Sequence, residues 1–284
     1  MNRAEDAFRA DIVEIGRRMY ARGYVASNDG NISIKLDDAT ILTTPKSVSK
    51  GFMTPDMMVV VDLEGKKIRG TRDASSELLM HLEVYKNRPD IRAVVHAHPP
   101  IATGFAVAGI PLDRAVLAEV VTTLGSIPIA EYGTPSTPEL PAAVRKYIKA
   151  HDGLLLANHG ALTIGPDVYA AYYKMETIEH FAKISLVTRQ LGRENLLSRE
   201  EVGRLQQLRG NYGIKSPAPI CADGSEPASN AEQASCQIVE APASRARLVP
   251  TDPADLDGEI RLSYRELTAL IEDAVKALLG GQHG

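Results

Sequence analysis

Apolar residues fall at helical spacing in the first section of the chain, where Ile12, Ile15, Gly16, Met19 and Tyr20 share one face of a helix expected over 11–22 and stopped by Gly23. The pattern then changes to alternation. Residues 32–36 and 40–44 read as paired strands joined through Asp37-Asp38, and 57–62 as a third strand closed by the turn 63–66. Ser75 and Ser76 open a helix expected to reach 87, where Arg88-Pro89 stops it. Further on, strands are expected near 94–98, 127–131, 153–157 and 161–164, and helices over 101–108, 134–149, 168–191 and 198–209. Strands alternating with helices predict an α/β domain over residues 1–215.

From 216 to 258 the texture shifts to Pro, Ala, Ser, Asp and Glu with few large apolar residues, too little to offset the entropy of ordering, so this stretch is expected to be a flexible linker. Residues 259–284 differ again. Ser263-Tyr264-Arg265-Glu266 has the form of a capping box, flanked by Leu262 and Leu267, and Leu267, Leu270, Ile271, Ala274, Val275 and Leu278 trace one apolar stripe. A helix this short is marginal alone in water, so its stripe needs a partner.

Bulk properties narrow the function classes. The 284 residues carry a formal charge of -4 with Lys and Arg dispersed, which gives no nucleic-acid footprint. No apolar run is long enough for a bilayer span, and Met1 to Asp6 lacks the apolar core of a secretory signal, so a soluble cytoplasmic protein is expected. Cys221 and Cys236 lie in the low-complexity stretch and read as solvated thiols.

The chemistry centres on His96-Ala97-His98. In an extended segment side chains two apart share a face, so the pair is half of a metal-ligand set. Neutral imidazole suits zinc, and a catalytic zinc takes three protein ligands with one open position. Glu77, two hydroxyl residues into a helix start, and His159, beside Gly160 at a strand end, are the further candidates. His81, one turn after Glu77, reads as a core histidine. Two clusters have the residue types of anion sites: Asn28 to Ser33 together with Thr44-Pro45-Lys46-Ser47, and Ser75-Ser76 with the first amides of their helix.

Gly30-Asn31-Ile32-Ser33, Ser75-Ser76-Glu77, His96-Ala97-His98 and Asn158-His159-Gly160, in this order, resemble the class II aldolase/adducin family, most closely its L-fuculose-1-phosphate aldolases, over about residues 5–215. The resemblance implies a three-layer αβα sandwich around a central mixed sheet and a homotetramer with sites between subunits. It also implies one Zn2+ per subunit on Glu77, His96, His98 and His159. The phosphate of a deoxy-ketose 1-phosphate would lie among Asn28, Asn31, Lys46, Ser47, Ser75 and Ser76. Such an enzyme would release dihydroxyacetone phosphate and lactaldehyde, with Glu77 as base. Tyr212-Gly213 resembles the C-terminal Tyr-Gly that members fold towards the active site, which makes Tyr212 a catalytic candidate.

Two departures stand out. No Tyr occupies the region of Asp113-Arg114-Ala115 where the fuculose enzymes carry one, leaving Glu119, Tyr132 or Tyr212 as substitutes, and Lys46-Ser47 replaces their Thr-Gly. Other family activities are 4-epimerase, sugar-phosphate dehydratase and non-haem iron oxygenase. The epimerases carry Asp in place of the Glu77 carboxylate, and adducin-like scaffolds lack the ligands that are complete here.

The linker and terminal helix resemble the encapsulation peptides that recruit enzymes into bacterial microcompartments, which implies a shell-protein partner and a place in the microcompartment lumen. Docking of the helix on its own tetramer is the competing expectation. Residues 259–284 fused to a fluorescent protein are expected to direct it into microcompartments in a host that makes them, and Leu270→Glu with Ile271→Glu to leave it diffuse, as read by microscopy. A diffuse parent fusion would assign the helix to its own tetramer.

Overall fold

The computed structural model describes residues 3–214 and Ile220. Eight strands form one sheet: β1 (Asn31–Lys35), β2 (Thr40–Thr43), β3 (Val59–Asp62), β4 (Lys67–Arg69), β5 (Ala93–Ala97), β6 (Ile129–Ala130), β7 (Gly153–Leu156) and β8 (Gly160–Gly165). Their order is β4-β3-β2-β1-β5-β8-β7-β6, antiparallel except for the β6–β7 pair. Seven helices complete the described residues: α1 (Arg3–Ala21), α2 (Leu78–Asn87), α3 (Pro100–Val107), α4 (Ala118–Thr123), α5 (Glu139–Arg145), α6 (Val168–Gln190) and α7 (Arg199–Leu208).

The two-residue period of the strands builds the three layers. Val95 and Ala97 of β5 face a core made with Ile12, Ile15 and Met19 of α1 and Tyr172, Met175, Ile178 and Phe181 of α6. Val94, one residue before them, faces the opposite core, with Leu162 and Ile164 of β8, Leu82 and Val84 of α2 and Leu140 and Val144 of α5. Helices thus cover both faces of a mixed sheet, the αβα sandwich expected. No described helix is long and apolar enough to cross a membrane.

Several expected boundaries move, each for a physical reason. α1 starts at Arg3 rather than 11, because its first turns are held by polar contacts: Arg9 donates to Glu5 at 2.8 Å and to the carbonyls of Pro55 and Met58. The strand expected from 57 begins at Val59, since Pro55–Met57 form a 3-10 turn. The helix expected from 134 begins only at Glu139, after Pro135 and Pro138, which disfavour helical backbone before them, and it ends at Arg145. β6 shrinks to two residues. Neither α4 nor β4 was expected; β4 is a fully exposed edge strand with no apolar alternation to reveal it.

At the end of α7 the chain makes a 3-10 turn, Arg209–Tyr212, and Ile220 is buried with Ala115, Val121 and Val202. Ile220 lies inside the stretch expected to be linker. The remainder of the expected linker and the whole of the expected terminal helix lie outside the described residues.

Candidate metal centre

β5 sits between β1 and β8, and this placement assembles the centre. Asn31 of β1 lies directly across from His96, and Leu162 of β8 flanks it on the other side. His98 follows the end of β5, and its backbone N–H donates to the Tyr24 carbonyl at 2.9 Å. His159 is delivered by the turn between β7 and β8, where Asn158 takes a left-handed backbone (φ 55°), a conformation Asn tolerates better than most residues. Glu77 is the N-cap residue of α2.

Two glycines make room for this convergence. Gly30 has φ +72°, and a Cβ there would lie 2.9 Å from the His96 carbonyl oxygen. A Cβ on Gly160 would lie 2.5 Å from the Ala97 oxygen and 2.6 Å from the His98 ring.

One nitrogen from each of His96, His98 and His159 lies within 4.8 Å of the others, and the ring centroids are 4.7 to 5.0 Å apart. The hydrogen bonds select which nitrogens face inward. His96 Nδ1 donates to the Ala161 carbonyl at 2.9 Å, which leaves its Nε2 as a lone pair. His98 Nδ1 is 3.4 Å from Asp29 Oδ2, the same outer-shell arrangement with a carboxylate, while its Nε2 lies 3.1 Å from His96 Nε2. Two lone pairs at that separation repel unless a cation lies between them.

Burial enforces neutrality. His96 is 0% exposed, and desolvation pulls its imidazolium down to about 3. His98 is lowered by burial and by His159. His96 and His98 therefore offer neutral donors at ordinary pH.

Glu77 completes the set. Its Oε1 is 3.0 Å from His159 Nε2 and its Oε2 3.5 Å from His96 Nε2, while Asn31 Nδ2 donates to Oε2 at 2.8 Å. Burial raises the carboxyl, but the imidazoles of His96, His159 and His98 outweigh it and hold the group well below the usual carboxylate range. Glu77 Oε1 nevertheless accepts no well-directed hydrogen bond, and neither does His159 Nδ1 find a partner. A buried carboxylate oxygen facing three imidazoles fits a divalent metal, which would supply the missing contact. His81 is the core histidine expected: 1% exposed, its Nδ1 2.7 Å from Ser33 Oγ, and lowered to about 4 by burial.

The anion-site candidates are brought together beside Glu77. An antiparallel bridge joins Pro45 to Ala74, the Lys46 N–H donates to the Asp73 carbonyl and the Ser75 N–H to the Thr44 carbonyl. Lys46 and Ser47 therefore lie next to Ser75 and Ser76, with Ser47 in the left-handed region (φ 58°). Asn31 lies beside Glu77 as well, its Nδ2 donating to Oε2.

Lys50 escaped the sequence analysis. It is 2% exposed, and its ammonium donates to the Asn28 carbonyl at 3.0 Å and the Val48 carbonyl at 2.7 Å, tying the Asn28 loop to the Lys46-Ser47 loop. Burial pulls it down to about 8, against Asp29 and Glu77, which raise it. Nothing in the local pattern around Lys50-Gly51 marks a buried lysine.

Tyr212 is 66% exposed on the turn that follows α7, and α7 packs on α4. Of the other candidates for the missing tyrosine, Tyr132 is 59% exposed, and Glu119 lines a groove with Tyr24 and Glu179.

A family model described as the Class II Aldolase and Adducin N-terminal domain matches residues 10–186. The 3-oxo-tetronate 4-phosphate decarboxylase of Pectobacterium atrosepticum is 32% identical over 188 residues, covering 65% of this chain and 86% of the relative. The L-fuculose phosphate aldolase of Methanococcus maripaludis is 35% identical over 181 residues, covering 64% of this chain and 97% of the relative. Among solved structures, the L-fuculose-1-phosphate aldolase of Thermus thermophilus superposes with a TM-score of 0.60 at 30% identity, covering 68% of this chain and all of that one.

His96→Ala, His98→Ala and His159→Ala are each expected to reduce bound divalent metal from about one per chain to a small fraction, measured by elemental analysis of dialysed protein. A His96→Ala protein that kept its full metal content would remove His96 from the centre.

Proposed function

Because this chain belongs to the class II aldolase and adducin family, we propose that it is a zinc-dependent aldolase cleaving a deoxy-ketose 1-phosphate of the L-fuculose or L-rhamnulose type to dihydroxyacetone phosphate and lactaldehyde. The observation that carries this reading is the Glu77 carboxylate, largely buried beside three imidazoles and next to the point where the Lys46-Ser47 and Ser75-Ser76 segments meet.

His96, His98 and His159 would hold the zinc, with Glu77 as the fourth ligand until substrate arrives. When bound, zinc supplies Lewis acidity that polarises the substrate carbonyl. Asn28, Asn31, Lys46, Ser47, Ser75 and Ser76 bind the phosphate, and Lys50 keeps the Asn28 and Lys46-Ser47 loops in register. Asn31 holds the Glu77 carboxylate in place.

Glu77 takes the proton of the C4 hydroxyl, the C3–C4 bond breaks with its electrons moving toward the C2 carbonyl oxygen, and lactaldehyde leaves. A proton delivered to C3 then completes dihydroxyacetone phosphate. Tyr212 is the proposed donor. Its exposure suits service at a neighbour's site within a homotetramer, and the tail would carry that tetramer into a microcompartment lumen from the cytoplasm through a shell protein.

A second reading has one specific support, the 32% identity to a 3-oxo-tetronate 4-phosphate decarboxylase. The same metal centre and phosphate loops would serve it, because loss of a carboxylate beside a ketone also moves electrons toward that carbonyl oxygen.

Product identification on L-fuculose 1-phosphate, L-rhamnulose 1-phosphate and 3-oxo-tetronate 4-phosphate separates the two. Lactaldehyde is expected from one of the first pair, and carbon dioxide released only from the third would replace the aldolase reading. Glu77→Gln keeps the shape but not the basicity, so cleavage is expected to fall by about two to four orders of magnitude. Unchanged turnover in that variant would exclude Glu77 as the base.

A further inference from the structure

The metal ligands are not equally fixed. His96 is sealed in β5 and bonded to Ala161, whereas His98 lies beyond the strand, its side chain a quarter exposed, with Asp29 at the edge of hydrogen-bond range. What holds the chain immediately after His98 therefore decides where its ring points.

That chain is Pro99-Pro100, which opens α3. A helix start leaves its first N–H groups without intrahelical partners. Here Pro99 is the N-cap and offers no side-chain acceptor, Pro100 has no N–H, and Thr103 already donates to the Pro99 carbonyl, so Ile101 and Ala102 are the two donors left over. Both go to one carboxylate from another helix: Ile101 N donates to Glu179 Oε1 at 3.0 Å and Ala102 N to Oε2 at 2.8 Å. Farther along, Arg189 of α6 lies over the Phe105 ring at 5.2 Å, so α3 is tied to α6 at two points.

We propose that Glu179 is a positioning residue for the metal centre: by gripping the two amides that the start of α3 leaves over, it fixes the Pro99-Pro100 segment and hence the direction of the His98 imidazole. The inference rests on the metal reading of His96, His98 and His159. An α6 carboxylate with no contact to the metal thereby sets the geometry of its most exposed ligand. Outer-shell partners of metal ligands commonly change affinity by about 10- to 100-fold when removed.

The test uses the full-length protein loaded with zinc, or with Co2+ as a spectroscopic substitute. Glu179→Ala is expected to release metal to a chelator about 10- to 100-fold faster than the parent and to alter the visible Co2+ spectrum, while Glu179→Gln, which keeps one acceptor, falls between. A carboxylate that only capped a helix would lower the melting temperature with and without metal alike and leave the release rate and spectrum untouched, and that result overturns the proposal. Should Glu179→Ala fail to fold, Glu179→Gln decides alone: parental release and spectrum contradict it, faster release supports it. Failure of the parent itself to bind metal would instead contradict the metal reading on which this rests.

Discussion

A carboxylate largely buried among three imidazoles is the constraint on which the site depends. Burial keeps His96 neutral, while the Glu77 carboxyl stands well below the usual range: desolvation raises it, but the pull of His96, His159 and His98 when they carry a proton outweighs that. Charge on one side and lone pairs on the other make an electrostatic cage for a cation. The fold serves that cage directly: β1, β5 and β8 are hydrogen-bonded neighbours, so Asn31, His96 and the Ala161 carbonyl come together through sheet register before any side chain chooses a rotamer.

Around this centre the polar contacts divide between chemistry and support. Asn31 spends its amide on Glu77, Ala161 and Asp29 orient His96 and His98, and Lys50 ties two loops through backbone carbonyls. The relatives' printed activities are an aldolase on one side and a decarboxylase on the other, each on a phosphorylated substrate.

The metal candidates were legible in the sequence because two-residue periodicity puts His96 and His98 on one face, and because His159 and Glu77 sit at element ends where side chains meet a cleft. The α/β class was legible from strands alternating with helices, as in the helical spacing of Ile12, Ile15 and Met19, and the layered sandwich from the resemblance. What escaped depends on contacts between distant segments. Lys50 is buried by helix α1 and the Asn28 loop, and Glu179 looks like any surface glutamate until Pro99 and Pro100 are seen to leave two amides beside it. Exposed β4 and six-residue α4 carry too little periodicity to be read, and the prolines at 135 and 138 displaced a helix start expected at the 134–139 cluster of hydroxyl residues and prolines.

The central claim is a single metal held by these imidazoles. X-ray absorption at the zinc edge of the zinc-loaded full-length protein tests it most directly: three imidazole nitrogens at about 2.0–2.1 Å with carboxylate oxygen in the same shell are expected, one metal per chain. A shell containing sulfur, or fewer than two imidazoles, would place the metal elsewhere and contradict the account.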